Sequence, residues 1–304
     1  MSDEKKNYKT EWSFSFGTIG ESVSDLLESL GAGRDTEVHT ASYGEPIGGM
    51  ESAEITLEPT VGTATISALV DSDHLLEADL SYIGEIKFLT EVEGTHKLVR
   101  LGQTGNMQGL RSVRDALGSF ARQQELYWHM RLTPNIPLDL RINSGVTAND
   151  FDLSGLQLTG LKFNGGTGKT DLKLPTMGAN YDVTLNSGTG ELNVHIPDGA
   201  QIALRANNGT GATYITIGAN ASVEAKIAGG IGQCVINLPP DAAVRVKAAT
   251  GLGKVRVPAH YIALKVDEFI ATSGTWESPG YASAEHQISI KYEGGIGGLT
   301  IKQA

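Results

Sequence analysis

Apolar residues occupy every second position through most of this chain, and the alternation breaks at nearly equal intervals. Each break is a Gly-x-Gly mark. Gly166-Thr-Gly168, Gly188-Thr-Gly190, Gly209-Thr-Gly211, Gly230-Ile-Gly232 and Gly251-Leu-Gly253 begin 22, 21, 21 and 21 residues apart. Gly145 precedes the first by 21, and Gly295-Ile-Gly297 follows the last by 44, close to two periods. Before successive marks lie Tyr181, Val183, Leu185, then Ile202, Leu204, Ala206, then Val223, Ala225, Ile227, then Val244, Val246, Ala248. After them come Leu192, Val194, Ile196, then Thr213, Ile215, Ile217, then Cys234, Ile236, Leu238. A period of two bounded by glycine and proline predicts half-buried strands. Pro175, Pro197 and Pro239 close the second strand of their periods, because proline cannot continue a ladder. Each period therefore reads strand, glycine turn, strand, turn.

Two short strands cannot bury their inner faces alone. Stacking the periods about 4.8 Å apart pairs each strand with its equivalents above and below and makes one continuous core. The fold class expected is all-β: a single-domain β-solenoid of two-strand rungs of about 21 residues. Asn143, Asn164, Asn186 and Asn207 share one place beside the corner, where stacked amides can form a ladder. Ala53, Ile55 and Leu57 before Val61-Gly62, with Ala64 and Ile66 after, read as a further, degenerate rung.

The ends of the pattern are less regular. Residues 1–10 are charged and expected to be disordered. Residues 11–33 read as an arm: Trp12, Phe14 and Phe16 alternate, then Ile19, Val23, Leu26, Leu27 and Leu30 take the spacing of a short N-terminal helix ending at Gly31. That helix either covers an open solenoid end or serves as an association arm. The solenoid itself is expected over 45–304, with an insertion at about 104–125 bearing Arg111, Arg114 and Arg122.

Composition narrows the function classes. The chain has 304 residues, 38 of them glycine, 6% aromatics and a formal net charge of −11. Thin rungs suit that balance better than a globular enzyme core does, and the charge disfavours nucleic acid as a partner. No apolar run is long enough for a transmembrane segment, and no apolar stretch follows the charged start as a secretory signal would require. The expected location is cytoplasmic, or peripheral to a membrane. Cys234 alone cannot form an internal disulfide and reads as a small core residue.

Candidate chemistry is mostly look-alike. Gly165-Gly-Thr-Gly-Lys-Thr170 imitates a phosphate loop, but Phe163 stands where the first glycine is needed. The seven histidines show no metal spacing, and Asp139, Asp182 and Glu224 form an interrupted column without a catalytic pair. No cofactor, metal or catalytic residue is therefore assigned. One outward column stands apart. Arg141, Lys162, Arg205, Lys226, Lys247 and Lys291 occupy the same place in their periods, with Thr184 the exception. It is either a solvated sheet face, neutralised by neighbours such as Asp182 and Glu224, or a binding strip for an acidic protein, anionic glycan or lipid headgroups.

From about residue 50 onward the chain resembles the toast-rack domains that end LiaF-like proteins of the bacterial cell-envelope stress response. The residues carrying this are Ala53-Glu-Ile-Thr-Leu57, Ser72-Asp-His-Leu-Leu-Glu-Ala-Asp79, Ile136-Pro-Leu-Asp-Leu140, Asp152-Leu-Ser-Gly-Leu156, Trp276-Glu-Ser-Pro-Gly-Tyr281, Ala284-Glu-His-Gln-Ile288 and Glu293-Gly-Gly-Ile-Gly297. The resemblance implies a non-enzymatic scaffold or sensor module in an envelope-stress or regulatory system, acting by protein or surface binding. Such proteins often carry transmembrane helices ahead of the stack, and no such stretch is present in this sequence. Two alternatives stand beside it: a structural protein that self-associates through solenoid ends or N-terminal arms, and a carbohydrate-active β-helix enzyme.

Overall fold

Alternation and glycine corners translate directly into strands. The computed structural model describes residues 38–104, 126–176, 181–266 and 273–303. The disorder expected over 1–10, the arm and helix expected over 11–33 and nearly all of the 104–125 insertion fall outside those residues.

The described chain enters through β1 (Val38–Pro46) and builds a first rung from β2 (Ser52–Glu58) and β3 (Val61–Ala68). β4 (His74–Ile83), β5 (Glu85–Glu93), β6 (His96–Thr104) and β7 (Tyr127–Leu132) follow. Then come regular rungs: β8 (Leu138–Asn143) with β9 (Val146–Asp152), β10 (Leu158–Asn164) with β11 (Thr170–Lys173), and β12 (Tyr181–Asn186) with β13 (Leu192–Ile196). β14 (Gln201–Asn207) with β15 (Thr213–Ile217), β16 (Ser222–Ala228) with β17 (Cys234–Leu238), and β18 (Ala243–Leu252) with β19 (Val255–Arg256) continue the series. β20 (Ile262–Val266), β21 (Ser273–Glu277), β22 (Gln287–Ile296) and β23 (Leu299–Gln303) complete it.

First strands of the rungs join one 12-stranded sheet and second strands an 11-stranded sheet, with parallel pairing through the middle of both. The chain is a β-solenoid. Inner columns run straight along it: Leu140, Leu161, Val183, Leu204 and Ala225 are successive partners on one sheet. Phe151, Leu172, Val194, Ile215 and Ile236 are their counterparts on the other. All ten are buried and belong to one core.

The corner explains the glycine mark. Gly211 has φ +137, and a Cβ there would lie 1.7 Å from the carbonyl oxygen of Gly190 in the rung below. Nothing but glycine fits a corner stacked that closely. The middle residues of the marks tie the rungs together, as the Thr210 amide donates to the Gly188 carbonyl at 2.9 Å. Beside the corner the amide ladder is present. Asn164 Nδ2 donates to Asn143 Oδ1 at 2.7 Å, Asn186 Nδ2 to Asn164 Oδ1 at 2.7 Å, and Asn207 Nδ2 to Asn186 Oδ1 at 2.6 Å.

Chain order and stacking order differ at both ends. The rung β22–β23 lies between β16–β17 and β18–β19, although it is last in sequence. The spacing of 44 residues before Gly295 is thus not two rungs in succession. The chain leaves an open slot, makes β18–β19 and the antiparallel β20–β21 hairpin, and returns to fill it. Matching corners set the register, for the Ile296 amide donates to the Gly230 carbonyl at 3.0 Å. At the other end the rung β2–β3 lies between β6–β7 and β8–β9.

Antiparallel strands finish three of the four sheet ends: β4 and β1 beyond β7, β5 beyond β6, and β21 and β20 beyond β18, while the 11-stranded sheet stops at the parallel β19. A buried ion pair fastens one of them. Lys97 Nζ on β6 reaches Glu45 Oε1 on β1 at 2.8 Å, joining the two sheets across the end of the core. Outermost β5 is mostly exposed and carries Glu85, Lys87, Glu91 and Glu93, charges that discourage another chain from adding to its edge.

Candidate functional site

In-register stacking converts a periodic residue into a line on the surface. Arg141, Lys162, Thr184, Arg205 and Lys226 are consecutive partners on the outer face of the 12-stranded sheet. Lys226 then pairs with Lys291, and Lys291 with Lys247, because β22 is intercalated before β18. The six basic residues expected in the column therefore lie in one line, interrupted by Thr184, each exposed, with their order changed at the end. At about 4.8 Å between neighbours they need counter-charges.

Carboxylates on the same face supply them unevenly. Arg141 meets Glu54 at 2.9 Å and Asp139 at 3.7 Å, Arg205 meets Asp182 at 3.8 Å, Lys226 meets Glu224 at 2.8 Å and Lys291 meets Glu293 at 2.7 Å. Lys162 and Lys247 have no ion-pair partner among the described residues. The Lys226 ammonium holds the Glu224 carboxyl below its ordinary range, and Lys291 does the same to Glu293. A general acid for glycoside cleavage requires the opposite shift.

The column is longer than the period reveals. Thr56 pairs with both Arg141 and Arg100 at one end, and Lys247 pairs with Thr275, itself the partner of Lys265, at the other. Arg100 and Lys265 are exposed members that the Gly-x-Gly count misses. Arg100 is paired to Glu58 at 2.8 Å. Lys265 borders a groove of about 500 Å³ with Lys247 and Lys291.

Other candidates resolve into structure. Lys169 of the phosphate-loop look-alike pairs with Asp171 at 3.0 Å, and strand β11 follows it where a phosphate site needs a helix. Ser72, His74 and Glu77 cluster near the start of β4. Serine and carboxylate both face Nδ1 of His74, so the ring cannot relay a proton between them. No group of three His, Cys, Asp or Glu able to hold a metal occurs among the described residues. Among them, too, no helix is long and apolar enough to cross a membrane.

Cys234 lies in the inner column between Thr213 and Leu299. Burial pushes its thiol up to about 12, which leaves almost no thiolate near neutrality. Native protein is therefore expected to be inert to a disulfide-exchange thiol reagent at pH 8, with one equivalent released only on denaturation. Fast labelling of the native chain would place Cys234 outside the core.

Residues 32–195 match the family described as the N-terminal domain of toast-rack. The chain belongs to that family. Toast-rack rungs continue past the matched segment, since β14 to β23 add to the same two sheets. No curated protein matches the sequence. Among solved structures, a candidate cell adhesion protein from Clostridium sporogenes ATCC 15579 aligns over 88% of this chain and 100% of its own, at 19% identity and a TM-score of 0.45. A candidate adhesin from Bacteroides fragilis NCTC 9343 aligns over 88% and 98%, at 8% identity and a TM-score of 0.30. Neither likeness bears on function.

Proposed function

We propose that the chain is a non-catalytic binding module of a bacterial cell-envelope stress or regulatory system. It presents the outer face of its 12-stranded sheet to a protein partner or an anionic surface, from the cytoplasm or the membrane periphery. The observation supporting this reading is the in-register line of exposed basic residues and half-buried threonines, held by a core that leaves the outer side chains free to vary. Exposed ion pairs along it are worth at most about 1 kcal/mol each, so a partner's anions can replace the intramolecular ones. The carboxylates beside the column are paired with cations rather than with each other, which disfavours glycoside hydrolysis. At the β5 end, an antiparallel strand carrying four charges disfavours end-to-end polymerisation.

Cell fractionation under envelope stress tests the proposal. The parent chain is expected to move to the membrane fraction, and the triple reversal Arg205→Glu, Lys226→Glu, Lys247→Glu to stay behind with an unchanged melting temperature. Uniform distribution of the parent under every envelope stress tried defeats it.

A further inference from the structure

We infer that the outer face takes a narrow, linear polyanion, an acidic polysaccharide, anchored in the groove between Lys247, Lys265 and Lys291. This rests on the surface-binding reading and names its ligand. Charge compensation along the column is lopsided. At the β2 and β8 end, Glu54, Glu58 and Asp139 outnumber Arg141 and Arg100. Toward β20 the balance reverses among the described residues: Lys291, Lys247 and Lys265 face one carboxylate within their groove, Glu293. Arg245, two residues before Lys247, adds a fourth cation and is paired with Glu277.

Width selects the ligand. A bilayer surface or a folded acidic domain would press anions against the flanking carboxylates Asp182 and Glu224 as well as against the lysines. A chain one sugar wide follows the column and meets fewer of those carboxylates. Its direction is set by the stack, with a cation on most rungs and a threonine on the others, and Thr275 and Ser273 supply hydroxyls where the anchor groove lacks charge. Beside the column each ladder amide uses one N–H within the stack, leaving the second to donate to a sugar hydroxyl. The groove, at about 500 Å³, is within the range of small-ligand sites. Along β8 to β16 the column offers no aromatic side chain for bases to stack on, which disfavours single-stranded nucleic acid.

The test uses the full chain, polygalacturonate as the acidic probe, dextran as the neutral one, and phosphatidylglycerol vesicles. Polygalacturonate should bind at low salt and release as salt rises, with dextran unbound. Combining Lys247→Glu, Lys265→Glu and Lys291→Glu should weaken binding about tenfold or more, a loss of about 1.4 kcal/mol or more. Lys173→Glu, Arg256→Glu and Lys302→Glu, an equal charge change on the 11-stranded sheet, should leave it within about twofold. If the first triple misfolds, the three glutamine replacements substitute for it and should also weaken binding. Equal loss in both triples, or no polygalacturonate binding by the folded parent, overturns the inference. Vesicle binding without polysaccharide binding also overturns it, yet leaves the surface-binding proposal standing. Polysaccharide binding without recruitment in cells would do the reverse.

Discussion

Gly211→Ala is expected to destabilise the stack by about 4 kcal/mol or more, from two separate penalties. The first is conformational: φ at Gly211 is +137, a region L-residues rarely enter. The second is steric, since the new methyl would lie 1.7 Å from the Gly190 carbonyl oxygen. Relief would require the rungs to separate, and that would break the corner hydrogen bonds on both sides. Gly199→Ala separates the two penalties. Gly199 has φ +71 but nothing within 4 Å of its would-be Cβ, so it should cost only about 1 to 2 kcal/mol. Urea unfolding followed by circular dichroism reads both. Equal, small effects would show that the corner opens without breaking the stack.

Phe163→Ala and its neighbour Lys162→Ala should differ by several kcal/mol. Phe163 is 1% exposed and meets Phe151 edge-on at 6.0 Å, so its removal is expected to cost about 3 to 5 kcal/mol. Lys162 projects from the opposite face of the same strand without an ion pair, and its truncation should stay within about 0.5 kcal/mol. Thermal melts of both variants decide it. A costly Lys162→Ala would mean that the outer column contributes to the fold as well as lying on its surface.

Much of this architecture is legible because a solenoid writes its register into its period. Residues 21 or 22 apart, such as Asn164 and Asn186, become neighbours, so parity within one period sorts Phe163 inward and Lys162 outward. Counter-charges on the outer face follow equally well, and Asp182 and Glu224 do pair with Arg205 and Lys226. Strands without a Gly-x-Gly mark escape the method. β4, β5, β20 and β21 pair antiparallel, and their partners are set by three-dimensional closure, with no repeat distance to reveal them. Lys265 is missed for that reason, and Arg100 because β6, though parallel to β2, carries no Gly-x-Gly mark. The groove depends on Lys265 meeting Lys247 through Thr275, a juxtaposition that no spacing encodes.

The displaced rung also bears on how the protein is made. A ribosome delivers the chain from its first residue, and domains generally fold in that order. Here β18 and β19 emerge before the strands that separate them from β16 and β17. During synthesis they confront either a vacant slot or the wrong neighbour, β16, whose corner glycines offer the same register. The nascent chain must hold that slot open, or back out of the mispairing, until Gln287–Gln303 arrives. Until those residues are made, β18–β19 has no correct neighbour on that side, so the stack cannot close before β22 and β23 are in place. Loss of β22 and β23 would thus remove an interior rung, and the damage would fall inside the stack although those strands come last in sequence among the described residues.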